Sequence, residues 1–71
     1  MSIAHPQITE NDVVELTRGI GRWPAGTQGA VVSDHVAWKL VEISDERGQM
    51  LDLLEVDGCD LKLIAHYPCA L

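Results

Sequence analysis

Residues 11–17 read Asn-Asp-Val-Val-Glu-Leu-Thr, and residues 23–32 read Trp-Pro-Ala-Gly-Thr-Gln-Gly-Ala-Val-Val. In the first stretch Val14 and Leu16 alternate with polar residues, which is the period-two pattern of a half-buried strand. The second stretch starts in a loop broken by proline and glycine and ends in a run rich in valine. Together the two stretches predict a strand, a loop and a second strand, which is how a small β-barrel begins.

Apolar alternation and turn signals predict an all-β chain of five strands. The first four are expected at Val13 to Thr17, Gly29 to Ser33, Trp38 to Ser44 and Gln49 to Val56. Asp45 to Gly48 is predicted as a hairpin turn that Gly48 closes with a positive φ. A short 3-10 turn is expected near residues 58–62, and Asp60 to Ile64 are expected to run from a helical turn into the closing strand. A helix over residues 49–56 is the competing interpretation, and the turns on either side favour the strand.

Length and charge limit the classes of function. A chain of 71 residues forms one domain at most, and a domain this small buries only about 60% of its unfolded surface. Eleven acidic residues face five basic ones, for a net charge of −6. The basic residues are scattered, which disfavours nucleic acid as a partner. An acidic surface keeps a small domain dispersed, and it also suits a basic protein partner.

Targeting signals and cysteine usage favour the cytoplasm. No apolar run reaches the 18 residues or so of a membrane span, and residues 1–6 lack the pattern of a signal peptide. We therefore expect a soluble cytoplasmic protein without a membrane partner. Cys59 and Cys69 are expected to be free thiols in a reducing compartment, although the sequence also permits a bridge between them.

The sequence predicts no catalytic residue, no cofactor site and no metal site. Scattered histidines and cysteines lack the paired spacing of structural zinc ligands; they are His5, His35, His66, Cys59 and Cys69. The possible nucleophiles, the two cysteines with Ser33 and Ser44, have no local signature around them. A glycine-rich loop at residues 19–23 precedes a strand rather than the helix that a phosphate cradle needs. We therefore predict that the protein is not an enzyme.

The candidate functional residues are apolar. The fourth predicted strand has apolar side chains on both faces, so one face needs a cover beyond the core. Leu51, Leu53 and Leu54 are the candidates for that interface. Trp23 and Trp38 are candidates for an aromatic peptide-binding patch. The alternative for both tryptophans is packing as core or loop anchors, since the chain has no phenylalanine.

The order of these segments resembles the DUF4926 family of small uncharacterised bacterial proteins. The family pattern D-V-V-x-L-T matches residues 12–17, and A-G-x-x-G-x-V-V matches residues 25–32. Further similarity lies in residues 41–43, 45–48 and 60–61, so that the resemblance covers about residues 11–64. It implies a five-stranded SH3-like barrel related to KOW-type and electron-transport-accessory barrels. It implies no established activity.

These observations give one fold hypothesis and two hypotheses of function. A leader is expected at residues 1–11, the barrel at residues 12–64 and a tail at residues 65–71. The first hypothesis of function is a noncatalytic interaction module that forms a homo-oligomer through the aliphatic face of the fourth strand. The alternative is an accessory, regulatory or immunity-type protein whose acidic surface binds one basic partner.

Overall fold

A computed structural model describes residues 8–66, and these residues form one antiparallel sheet of five strands. The all-β prediction is confirmed. The strands are β1 (Val13–Leu16), β2 (Gln28–Asp34), β3 (Trp38–Ser44), β4 (Met50–Asp57) and β5 (Leu61–Ala65). One 3-10 turn, Gly58–Asp60, precedes β5. Within residues 8–66 no helix is both long and apolar enough to cross a bilayer.

The strand order is β4-β3-β2-β1-β5, so the first strand lies between the second and the last. Every strand contributes to a single buried cluster of aliphatic side chains: Val14, Leu16, Val31, Val41, Ile43, Val56 and Leu61. A flat sheet would leave the inner side chains of its edge strands in water. A sheet that curls around one core buries them, as small barrels do.

The hairpin between β3 and β4 closes as the sequence predicts. Asp45 Oδ1 accepts the backbone amides of Arg47 and Gln49, each at 2.9 Å. The Gly48 amide donates to the Asp45 carbonyl at 2.9 Å. Gly48 has a φ of 81°, a left-handed conformation that costs glycine little because it has no Cβ. This turn fixes where β4 begins.

Gly29 of β2 packs tightly against β3. A Cβ on Gly29 would lie 2.7 Å from the Glu42 carbonyl oxygen, 2.7 Å from Val41 Cγ1 and 2.9 Å from Ile43 Cδ1. Real Cβ atoms essentially never come this close to such atoms. The glycine in this part of the sequence therefore gives β2 room to pack directly on the core.

The 3-10 turn before the closing strand lies where the sequence predicts it. It was expected near residues 58–62, and the structure has it at Gly58–Asp60, with Leu61 already extended at the start of β5. The Asp57 side chain caps the start of the turn by accepting the Cys59 amide at 3.2 Å. The strand runs through Ala65, one residue past the predicted barrel. Residues 1–7 of the leader and 67–71 of the tail lie outside the described residues.

Candidate interaction surface

The side of β3 and β4 that faces away from the core is the candidate functional site. Val41 and Ile43 of β3 point into the core, so the residues that alternate with them point outward. The same holds for β4, where Val56 is buried. We call this surface the outer face; its residues are Trp38, Leu40, Glu42, Leu51, Leu53, Glu55 and Asp57.

A β-bulge determines which leucines of β4 reach the outer face. Ser44 pairs with Met50, but Ile43 pairs with Asp52, so Leu51 is an extra residue without a partner. A bulge of this kind shifts the register by one residue and exchanges the two faces of the strand. Leu51 and Leu53 consequently point outward and are 46% and 44% exposed.

Apolar and acidic side chains alternate across the outer face. Leu40 pairs with Glu55, and Glu42 pairs with Leu53. The leucines of the two pairs are therefore diagonal neighbours, and so are the glutamates, at distances over which side chains interact. The aliphatic diagonal therefore crosses the acidic one on the outer face.

The carboxylates of the outer face, those of Glu42, Glu55 and Asp57, form no ion pair among residues 8–66. The one basic residue of β3 and β4, Lys39, pairs with the buried Val56 on the core side. Its ammonium group bonds to the Asp34 carboxylate and to the His35 carbonyl. Lys39 therefore closes one end of the core and does not neutralise the outer face.

Trp38 lies at one end of the outer face under a histidine. The His35 ring stacks on the indole, with ring centroids 3.9 Å apart and an interplanar angle of 16°. Ser33 Oγ lies 2.8 Å from His35 Nε2 and holds the imidazole in place. Trp38 is half-buried by this arrangement, so the apolar character of the exposed surface comes chiefly from the leucines.

Leu51, Leu53 and Trp38 all lie on the outer face, with Trp38 at the end opposite Leu51, and the other two candidates lie elsewhere. Leu54 pairs with the buried Val41 and packs against the core cluster. Trp23 lies in the long loop between β1 and β2, where its backbone forms two hydrogen bonds with that of Ile20. Both Ile20 and Trp23 pack against the core.

The indole of Trp23 also ties its loop to β4. Its Nε1–H donates to Asp52 Oδ2 at 2.8 Å, and the Arg22 guanidinium lies 4.7 Å from the ring centroid. This indole hydrogen bond lowers the pKa of Asp52, with a further contribution from the Leu53 amide. That amide donates to Asp52 Oδ1 at 2.8 Å, so it is not free to pair with another strand. The two hydrogen bonds of the Asp52 carboxylate therefore restrain the edge strand β4 near its centre.

A second polar cluster joins the two ends of the described chain. Asp12 is 3% exposed, and its Oδ2 accepts the amide and the hydroxyl of Thr9 at 2.8 and 3.1 Å. His66 Nδ1 lies 3.0 Å from Asp12 Oδ1, although the two residues are 54 positions apart. Burial acts to raise the pKa of Asp12, but the hydrogen bonds from Thr9 and His66 outweigh burial and leave that pKa lowered. These hydrogen bonds connect the segment before β1, at Thr9 and Asp12, to His66 directly after β5.

A groove open to solvent lies between β5 and the 3-10 turn. Its volume is about 700 Å³, and its lining is mainly aliphatic, with Ile8, Leu61 and Leu63 beside Lys62 and Cys59. Cys59 is exposed and has no disulfide partner within residues 8–66; Cys69 and His5 lie outside the described residues. Among residues 8–66 no three His, Cys, Asp or Glu side chains cluster as metal ligands would.

Sequence reasoning missed Glu42, Glu55 and Leu40 as parts of the surface, and it missed the pairing of Asp12 with His66. The alternation of β3 carries the signal for Leu40 and Glu42, since both alternate with Val41 and Ile43. Thr9 and Asp12 stand at the spacing of a local capping pair, which indicates a side-chain turn before β1. Nothing in the sequence marks His66 as the second partner.

Comparison with known proteins adds no relative: no family model matches the chain, and no curated protein and no solved structure is significantly similar to it. The geometry of the described residues is therefore what any assignment of function has to rest on.

Proposed function

We propose that the protein is a noncatalytic protein-interaction module whose binding surface is the outer face. One observation carries the proposal. Three apolar residues that the sequence marks as interface candidates, Leu51, Leu53 and Trp38, lie on the same side of two adjacent strands. An exposed apolar group surrounded by polar residues is typical of a protein-binding surface.

The packing around this surface supports the same proposal. Leu53 and Leu51 add nothing to the core, because Leu54 and Val56 already occupy the inward positions of β4. Exposed leucines at adjacent outward positions of one strand leave apolar area in water that a partner would cover. The hydrogen-bonded turn and the pairing with β3 hold the backbone that carries the two side chains in place, which lowers the entropic cost of binding.

The sequence suggests two partners for this face, a second copy of the chain and a basic protein. The resemblance to the DUF4926 family and the cytoplasmic location remain predictions. Both predictions are compatible with an interaction module, and the proposal does not depend on either of them.

Photo-crosslinking in the cells of origin tests the proposal. A crosslinking amino acid replaces Leu51 on the outer face, and in a control chain it replaces Lys62, an exposed residue of β5. We expect one discrete protein adduct from position 51 and none from position 62. The mass of the adduct tells a second copy from a foreign protein.

A matched pair of substitutions tests the specificity of that adduct. Leu53→Asp should abolish it, whereas Ile64→Asp should leave it intact, because Ile64 is 40% exposed, much as Leu53 is, but lies on β5. Both variants should keep the cooperative thermal unfolding of the wild type, since neither side chain is buried. Equal adducts from positions 51 and 62, no adduct from either, or an adduct that survives Leu53→Asp would each refute the proposal.

A further inference from the structure

We infer that the outer face binds a basic protein surface and not a second copy of this chain. The inference rests on the proposed function and names its partner by chemistry. Three carboxylates, those of Glu42, Glu55 and Asp57, lie among the leucines of a face to which β3 and β4 bring no cation. A partner that carries Lys or Arg beside aliphatic side chains complements both features of this surface.

A second copy complements only the leucines. Two copies joined face to face around a two-fold axis would bring three carboxylates from each into one interface. Like charges placed opposite one another destabilise an interface, and partial desolvation strengthens their repulsion. The same carboxylates opposite Lys or Arg become attractive, so the charge of the face selects against self-association and for a basic partner.

Pairing of two copies through the edge of β4 is also disfavoured. The Leu53 amide is already bonded to Asp52, and the Trp23 indole holds that carboxylate in place. A second β4 strand would have to displace this hydrogen bond at the centre of the edge. A partner that docks on the outer face leaves the hydrogen bond between Leu53 and Asp52 intact.

The test uses a synthetic helical peptide with lysines along one side and leucines along the other. A control peptide has glutamates in place of the lysines. We expect the lysine peptide to shift the amide NMR signals of residues 40–42 and 53–55 selectively, and we expect the glutamate peptide to shift none of them. Affinity for the lysine peptide should fall as salt is added, because exposed ion pairs are screened.

Two double variants of equal net charge identify the charges involved. Glu42→Gln with Glu55→Gln removes both glutamates of the outer face, whereas Glu10→Gln with Glu46→Gln removes two exposed glutamates that lie elsewhere. Each exposed ion pair contributes about two- to fivefold in affinity, so the first variant should bind the lysine peptide about tenfold more weakly. The second variant should lose about twofold at most, through the long-range field alone.

Light scattering on the peptide-free protein completes the test. We expect a monomer in the wild type. A dimer that Leu53→Asp dissociates and that Glu42→Gln with Glu55→Gln strengthens would overturn the inference. Equal losses of affinity in the two double variants, or signal shifts spread evenly over the molecule, would overturn it as well. A crosslink from position 51 to a second copy would refute this inference and leave the proposed function standing, whereas absence of any adduct would refute the proposed function itself.

Discussion

Replacement of Gly29 by alanine should destabilise the fold strongly, because the added methyl group would overlap atoms of β3. Of its three close neighbours, the Glu42 carbonyl is backbone and cannot move without disturbing β3. The other two belong to Val41 and Ile43, which are themselves buried. Overpacking of this kind costs about 1–3 kcal/mol, and rigid neighbours place Gly29→Ala near the upper end.

A smaller effect acts in the opposite direction. Alanine restricts the unfolded chain more than glycine does, which stabilises a protein by about 0.4–1 kcal/mol where the native backbone allows it. The net loss in the free energy of unfolding for Gly29→Ala should therefore be about 2 kcal/mol. In a domain of this size that loss lowers Tm by about 8–16 °C.

Gly58→Ala is the matched control for Gly29→Ala. A Cβ on Gly58 would meet nothing within 4 Å, and its backbone does not need a positive φ. The control should therefore keep or slightly raise the stability of the wild type. The assay is urea denaturation of the wild type and both variants, followed by tryptophan fluorescence and checked by thermal scans. A Gly29→Ala protein as stable as the Gly58→Ala control would refute the close approach of β2 to β3.

Two further predictions concern the carboxylates with lowered pKa values. Asp12 stabilises the fold above its ordinary pKa of 3.8, and this contribution is lost as the pH falls below 3.8 through the lowered folded value. Thermal scans from neutral pH to about pH 2 should show a steeper loss in the wild type than in Asp12→Asn; parallel curves would contradict the assignment. Trp23→Phe removes the indole donor and should raise the pKa of Asp52 toward 3.8 in an NMR titration, whereas Trp38→Phe should leave it in place. An unchanged Asp52 pKa in Trp23→Phe would show that the indole hydrogen bond is not its cause.

Local chemistry explains which elements could be predicted from the sequence. The Asp45 to Gly48 turn follows from one glycine and one aspartate, and β1 and β3 follow from alternation alone. The five-stranded all-β fold could be predicted because these local signals agree with one another.

The surface could be predicted only in part, because the bulge at Leu51 leaves no clear mark in a run of apolar residues. Without the bulge, the register from Ser44 and Met50 would bring Leu51 opposite Ile43 and Leu53 opposite Val41, both on the core side. Because β4 has leucines at both odd and even positions, its sequence is compatible with either register. Contacts between distant residues, such as those of Trp23 with Asp52 and of Asp12 with His66, likewise depend on the packed fold rather than on sequence spacing.

The position of β1 between β2 and β5 has a consequence for how the chain folds. The strands β2, β3 and β4 are joined by short connections and can pair as soon as they meet. β1 comes before them in the chain, yet one of its two partners, β5, follows them all. Closing so long a loop costs entropy before any contact repays it, and folds rich in such contacts form slowly, on the order of milliseconds to seconds. During synthesis on a ribosome, β1 would emerge first of the five strands, and its second partner, β5, would emerge last.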